Sequence, residues 1–162
     1  IQSYTEINAL LNTTTQLKND KYECYYWELN TEHSLKYSEN LEFRDIVNGL
    51  IYNQLKQLSL YLSNTEIKDV SALGNVHTLD LSWCDYITDV SALGNVHTLD
   101  LSRCRNLVDV SALGNVHTLH LSYCKLITDV SALGKVHTLN LSGCKKNMTN
   151  VSVLENVVNL IC

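Results

Sequence analysis

The chain contains no proline, one methionine and one phenylalanine in 162 residues. It has no run of eighteen apolar residues, so no stretch reads as a membrane-spanning helix. Its opening, Ile1-Gln2-Ser3-Tyr4, lacks the basic and apolar pattern of a signal peptide. Basic residues are outnumbered, 12 against 17 acidic ones, and the net charge of −5 gives no global attraction to nucleic acid or anionic membranes. There are six cysteines but no CxxC pair, which argues against a zinc site. No nucleophile elbow, P-loop, HExxH or dinucleotide fingerprint is present, so no catalytic, cofactor or metal residues are assigned and the chain is expected not to be an enzyme. These absences predict a soluble, non-secreted, cytoplasmic protein. There is also no initiating methionine, and the last residues, Leu160-Ile161-Cys162, read as the middle of a strand. Both features lead us to expect a piece of a longer protein.

What is present is a repeat. "DVSALGNVHTLDLS" occupies residues 69–82, returns unchanged at 89–102, and returns with small changes at 109–122 and 129–142. In each copy Leu79 and Leu81, or their equivalents, alternate with polar residues such as Thr78, Asp80 and Ser82. This predicts a short parallel strand with leucines inside and polar groups on a concave face. Cys84 follows where the chain turns inward, and its thiol can reach an interior backbone carbonyl. Ile87, Val90 and Leu93 close the back of the coil, each contributing about 1.5–3 kcal/mol on burial. Asp89 fits the N-cap of a short helical turn and Gly94 its exit. One such coil cannot hide its own interior, but a stack of coils can.

The outer copies are imperfect. Leu58 to Val70 is a repeat shortened by one residue, and Cys144 to Val151 carries one extra before a sixth strand at 157–161. The first 55 residues are different in kind. Ile7, Leu10 and Leu11 predict a helix over Glu6 to Leu17, and Ile46, Val47, Leu50, Ile51 and Leu55 predict another over Leu41 to Leu55, with Asn40 as its cap. The aromatic-dense segment Tyr22 to Trp27 is too apolar for a free linker. Residues 1–55 are therefore expected to form a helical N-terminal cap on a solenoid spanning 56–162.

The motifs V-H-T-L-D-L-S-W-C (76–84), V-H-T-L-D-L-S-R-C (96–104), V-H-T-L-H-L-S-Y-C (116–124) and V-H-T-L-N-L-S-G-C (136–144) resemble the leucine-rich repeat, with Val in its first apolar slot and Cys in its Asn/Cys slot. "ITDVSAL" is similar to the return segment of short-repeat families such as the internalins, here without proline. The resemblance implies an α/β class: a right-handed leucine-rich-repeat solenoid with a parallel sheet on the concave face. A second resemblance covers Ile7 to Val47, "INALLNTTTQLKNDKYECYYWELNTEHSLKYSENLEFRDIV". It looks like the tail of an F-box and its junction with repeats in F-box/leucine-rich-repeat proteins, including those of giant DNA viruses, although the Leu-Pro start of an F-box is absent. It implies substrate recognition in a ubiquitin-ligase complex, with an adaptor or client as partner, in the host cytoplasm if viral.

Identical positions cannot discriminate among partners, so the candidate site is built from columns where the copies differ. One column reads Asp80, Asp100, His120, Asn140. The next reads Trp83, Arg103, Tyr123, Gly143, and a third begins Asp85, Arg105, Lys125, Lys145. Trp, Tyr and Arg are enriched in binding hot spots, and the charge runs from acidic to basic along the stack, as a face for a protein partner would. Relaxed drift between recent duplicates is the plain alternative. The basic end could track a phosphate backbone, but Asp80, Asp85 and Asp100 share the face and no RNA-binding motif appears.

Three further columns read as structural. His77, His97, His117 and His137 form a surface ladder expected to hydrogen-bond along the stack, rather than a metal site, and to lose stability when charged near pH 6. Asp69, Asp89, Asp109 and Asp129 read as turn caps rather than a calcium site. Cys84, Cys104, Cys124 and Cys144 read as buried thiols suited to a reducing compartment. An alternative to partner binding is a structural role, in which the open edge at Leu160-Ile161-Cys162 pairs with a second copy. The oligomeric expectation is accordingly a monomer or an edge-paired dimer.

Overall fold

A computed structural model describes residues 17–18, 25–52, 56–144 and 148–162. The chain divides into two compact units, residues 1–61 and 62–162.

In the first unit, β1 (Leu17–Lys18) pairs antiparallel with β2 (Tyr25–Leu29), which pairs parallel with β3 (Lys56–Tyr61). Between β2 and β3 lie two helices, α1 (Thr31–Glu39) and α2 (Leu41–Tyr52). Asn30 caps α1 by accepting the His33 N–H at 3.0 Å. Asn40 caps α2 by accepting the Phe43 N–H at 2.9 Å, as expected from the sequence. The buried residues include Leu29, Tyr37, Phe43 and Val47. Two of the unit's polar side chains are paired inside it: the Tyr37 hydroxyl donates to Asn48 Oδ1 at 2.6 Å, and the buried Ser34 hydroxyl donates to the Leu29 carbonyl at 3.0 Å, while Gln57 Oε1 in β3 is buried without a partner among the described residues. Most of the helix expected over Glu6 to Leu17 lies outside the described residues, and its last residue, Leu17, is in a strand. The aromatic segment also supplies a strand, β2. Helix α1 was not anticipated, because Thr31 to Glu39 has few apolar residues to reveal a helical period.

The second unit is a stack of coils. Strands β4 (Thr78–Asp80), β5 (Thr98–Asp100), β6 (Thr118–His120), β7 (Thr138–Asn140) and β8 (Asn159–Ile161) pair in parallel, each with the next. Equivalent residues face one another at a shift of 20, and of 21 between β7 and β8, where the extra residue falls. Each full coil returns through a single 3-10 turn such as Ser91–Asn95, closed by the Leu93 N–H on the Val90 carbonyl at 2.9 Å. Leu79, Leu81, Cys84, Ile87, Val90, Leu93 and Val96 point inward and are buried, and the same positions are buried in the next coil. The ladder extends past each strand: Leu81 donates to Asp100 O and Trp83 to Ser102 O, both at 2.8 Å.

The stack has the sequence features expected of it, with two corrections. In the column Cys84, Cys104, Cys124 and Cys144 each thiol donates to a main-chain carbonyl of the preceding coil, for example Cys104 to Leu81 at 3.2 Å and Cys124 to Leu101 at 3.1 Å. However, Gly94 does not end its turn in a left-handed conformation; it lies inside the 3-10 segment, and left-handed φ among the glycines belongs to Gly143. The residue at the N-cap is Val90 rather than Asp89. Asp89 instead accepts the Ser91 N–H at 2.9 Å, an Asx turn that performs the capping from one position earlier.

Candidate functional site

The column Trp83, Arg103, Tyr123 occupies the tight turn that follows each strand, and its backbone is left-handed. The φ values are +64°, +65° and +61°, continued by Gly143 at +72° and preceded by Asn64 at +56°. Glycine and asparagine suit this conformation, while a side chain with a β-carbon costs roughly 1–2 kcal/mol there. The structure therefore places three bulky diverged side chains where the backbone least favours them. Strain of this kind concentrates at functional positions.

These side chains stack on one another. The Arg103 guanidinium lies 4.3 Å from the centre of the Trp83 ring and 4.4 Å from that of Tyr123, filling the space between two aromatic faces. Trp83 and Tyr123 are each 45% exposed. At the far end, Tyr123 lies over Gly143, where a β-carbon would come within 2.6 Å of the ring. Arg105 approaches the Trp83 ring at 5.7 Å and is answered within the chain by Asp85, whose carboxylate lies 3.7 Å from the Arg105 guanidinium and accepts the Arg105 backbone N–H at 3.2 Å. Asn106 adds a bond to the Asp85 carbonyl at 2.7 Å. Lys125 is exposed beside this pair, and Lys145 lies outside the described residues.

The strand column is more structural than its variation suggests. Asp80, Asp100 and Asn140 each accept the N–H of the serine two residues on, at 2.9, 2.8 and 2.9 Å. Each thereby sets the turn that presents Trp83, Arg103 or Gly143. His120 makes no such bond among the described residues. This role was legible in principle, since an Asp or Asn two residues before a turn is a known turn former.

The histidine ladder hydrogen-bonds along the stack through its main chain, as expected: His97 N–H donates to the His77 carbonyl at 3.0 Å and His117 N–H to the His97 carbonyl at 3.1 Å. The rings of His77, His97, His117 and His137 stack at 4.6, 4.6 and 4.5 Å, within 11° of parallel. Their Nδ1 atoms pair within the coil, with the neighbouring threonine hydroxyl at 3.1–3.2 Å, rather than along the stack. Burial, and then the next ring's charge, hold His77 and His97 below the ordinary imidazole range. The aspartates of the return turns are held low chiefly by bonds to their own turns, Asp89 by Ser91 and Asp109 by Ser111. For Asp129 the largest cause is the Asn150 side chain. A groove of about 320 Å³ lies beside Asp109 and Asp129, and it shares no residue with the diverged columns. No cluster of three or more metal-ligating side chains occurs among the described residues.

Residues 75–94 and 115–134 match the family model described as Leucine Rich repeat. With the parallel ladder and its repeating turns, these matches make the fold a leucine-rich-repeat solenoid and support a leucine-rich-repeat protein. No curated protein matches the chain. No described helix is long and apolar enough to cross a membrane.

Proposed function

We propose that this chain is a protein-interaction module whose reading surface is the edge formed by Trp83, Arg103 and Tyr123 with Asp80, Asp85, Asp100, Arg105, His120, Lys125 and Asn140. The observation that carries the reading is the exposed Trp–Arg–Tyr sandwich held on left-handed backbone. Aromatic rings already stacked on a guanidinium lose little further freedom when a partner docks, which favours affinity. The reading is one of binding rather than catalysis, because the diverged groups run along a line instead of converging in a pocket. The test is affinity capture from native lysate with the chain and with a variant carrying Trp83→Ala, Arg103→Ala and Tyr123→Ala. A partner held by the first and lost from the second supports the proposal, and identical capture by both refutes it.

Substrate recognition within an F-box ubiquitin-ligase complex is the finer proposal, resting on the resemblance of Ile7 to Val47. Recovery of a ligase adaptor in the same capture would support it. The reduced thiols of the cysteine column fit a cytoplasmic setting. A second reading, assembly through the strand edge, is favoured by exposed Val158, Leu160 and Ile161 in the last described coil, where Leu139 and Leu141 of the preceding coil are buried. It requires a concentration-dependent dimer in sedimentation equilibrium that Ile161→Lys abolishes.

A further inference from the structure

Arg103 and Arg105 stand two residues apart on the same edge, yet they are matched differently. Arg105 has a carboxylate within the chain, Asp85. Arg103 has two aromatic faces and, among the described residues, no acceptor. A guanidinium is planar: rings above and below cover its faces and leave its N–H donors in the plane between them. Those donors suit a carboxylate, which a planar fork can bind through two parallel bonds. We propose that Arg103, clamped between Trp83 and Tyr123, binds the side-chain carboxylate of an acidic residue inside a partner peptide.

Three features select this ligand. One guanidinium balances the single charge of a carboxylate, whereas the rest of the edge sets the acids Asp80, Asp85 and Asp100 against the cations Arg105 and Lys125, of which Arg105 is already paired with Asp85, and so offers no surplus positive charge for the second charge of a phosphoryl group. The same edge disfavours a polyanion. Trp83 and Tyr123 also flank Arg103 on both sides, so the ligand has an apolar surface to cover before and after its acid. That calls for an acid within a chain rather than at its end. The two rings belong to coils two strand spacings apart, about 10 Å, which about three residues of extended peptide span. The ligand is thus an extended segment whose acid faces Arg103, with apolar residues before and after it on that same face.

The inference rests on the docking reading above, and its test separates the two. A random peptide display library is selected on the chain. The selected peptides, made with blocked termini, are then titrated against wild type, Arg103→Lys and the Trp83→Ala, Tyr123→Ala double variant, with circular dichroism confirming that each variant is folded. The expected consensus is an acid with apolar residues before and after it on the same face. Changing that acid to its amide, or Arg103 to Lys, is expected to weaken binding about ten- to a hundredfold, as loss of charged hydrogen bonds does. Peptides that need Trp83 and Tyr123 but tolerate the amide, or that bind tighter with phosphoserine in place of the acid, overturn the carboxylate inference and leave the docking surface standing. If no selected peptide depends on Trp83, Arg103 or Tyr123, both readings fail.

Discussion

A β-carbon added to Gly94 would lie 2.5 Å from the carbonyl oxygen of Ala112, one coil further on. Gly114 stands in the same relation to Ala132, again at 2.5 Å. The glycine column therefore exists to let successive return turns approach, and its role depends on contact between coils rather than on φ. Gly94→Ala is expected to destabilise the solenoid by about 1–3 kcal/mol, the usual cost of overpacking. Gly49 provides the control: it lies in α2 with nothing within 4 Å of its added β-carbon. Gly49→Ala should stabilise by about 0.5–1 kcal/mol. Urea unfolding of both variants measures the two signs.

The left-handed turn allows its strain to be separated from its contacts. Arg103→Ala and Arg103→Gly both lose the stack with Trp83 and Tyr123, but Gly alone relieves the φ of +65°. The glycine variant is expected to be the more stable by about 1 kcal/mol, and both should lose partner binding equally. Equal stabilities in thermal unfolding would show that the turn carries no strain.

How much of this was legible in the sequence depended on whether a residue acts within its own coil or on the next. Leu79, Leu81 and Cys84 announce themselves by alternation, and their burial and the thiol bonds to the preceding coil followed the pattern. Gly94 was misread because the constraint on it is Ala112, twenty positions away, and a local rule about helix exits supplied a plausible substitute. The Trp–Arg–Tyr column was identified by its variation alone. Neither its left-handed backbone nor the sandwich could be read from single letters, although Asn64 and Gly143 in the same column were the available signal. Asp80 and Asp100 stand in the candidate partner face because their column varies, and that variation, through His120, hides the turn bond that Asp80, Asp100 and Asn140 share.

That turn bond has a direct test. Asp100 accepts the Ser102 N–H at 2.8 Å, and His120 has no equivalent among the described residues. Asp100→Ala should cost about 1 kcal/mol, the worth of a typical hydrogen bond, whereas His120→Ala should change stability by under about 0.5 kcal/mol. His120→Asn should restore the bond and stabilise. If His120→Asn also weakens partner binding, that histidine is kept for recognition rather than for the turn.

Thiol reactivity should divide the cysteines. Burial pushes the Cys124 thiol up to about 12, and Cys104 and Cys144 are raised by the same cause. Cys162 is exposed. Iodoacetamide at pH 8 is expected to label Cys162 within minutes while Cys84, Cys104 and Cys124 react only on unfolding, as peptide mass mapping would register.

The histidine ladder predicts the sign of the pH dependence. His77 and His97 have folded values below the ordinary 6.5, so between those values and 6.5 the unfolded chain binds more protons than the folded one. Stability therefore rises with pH in that window: it is complete above about 6.5 and is lost as pH falls through the lowered values. The aspartates of the return turns, with values below 3.8, act in a separate and more acidic window. Urea midpoints should be nearly level between pH 7.5 and 6.5 and fall at 5.5 and 5.0 in wild type. In a His77→Gln, His97→Gln variant the slope over this range should flatten, because the two imidazoles whose charging is opposed by burial, and then by the neighbouring ring, are gone. An unchanged slope would mean that the acid sensitivity arises elsewhere in the chain.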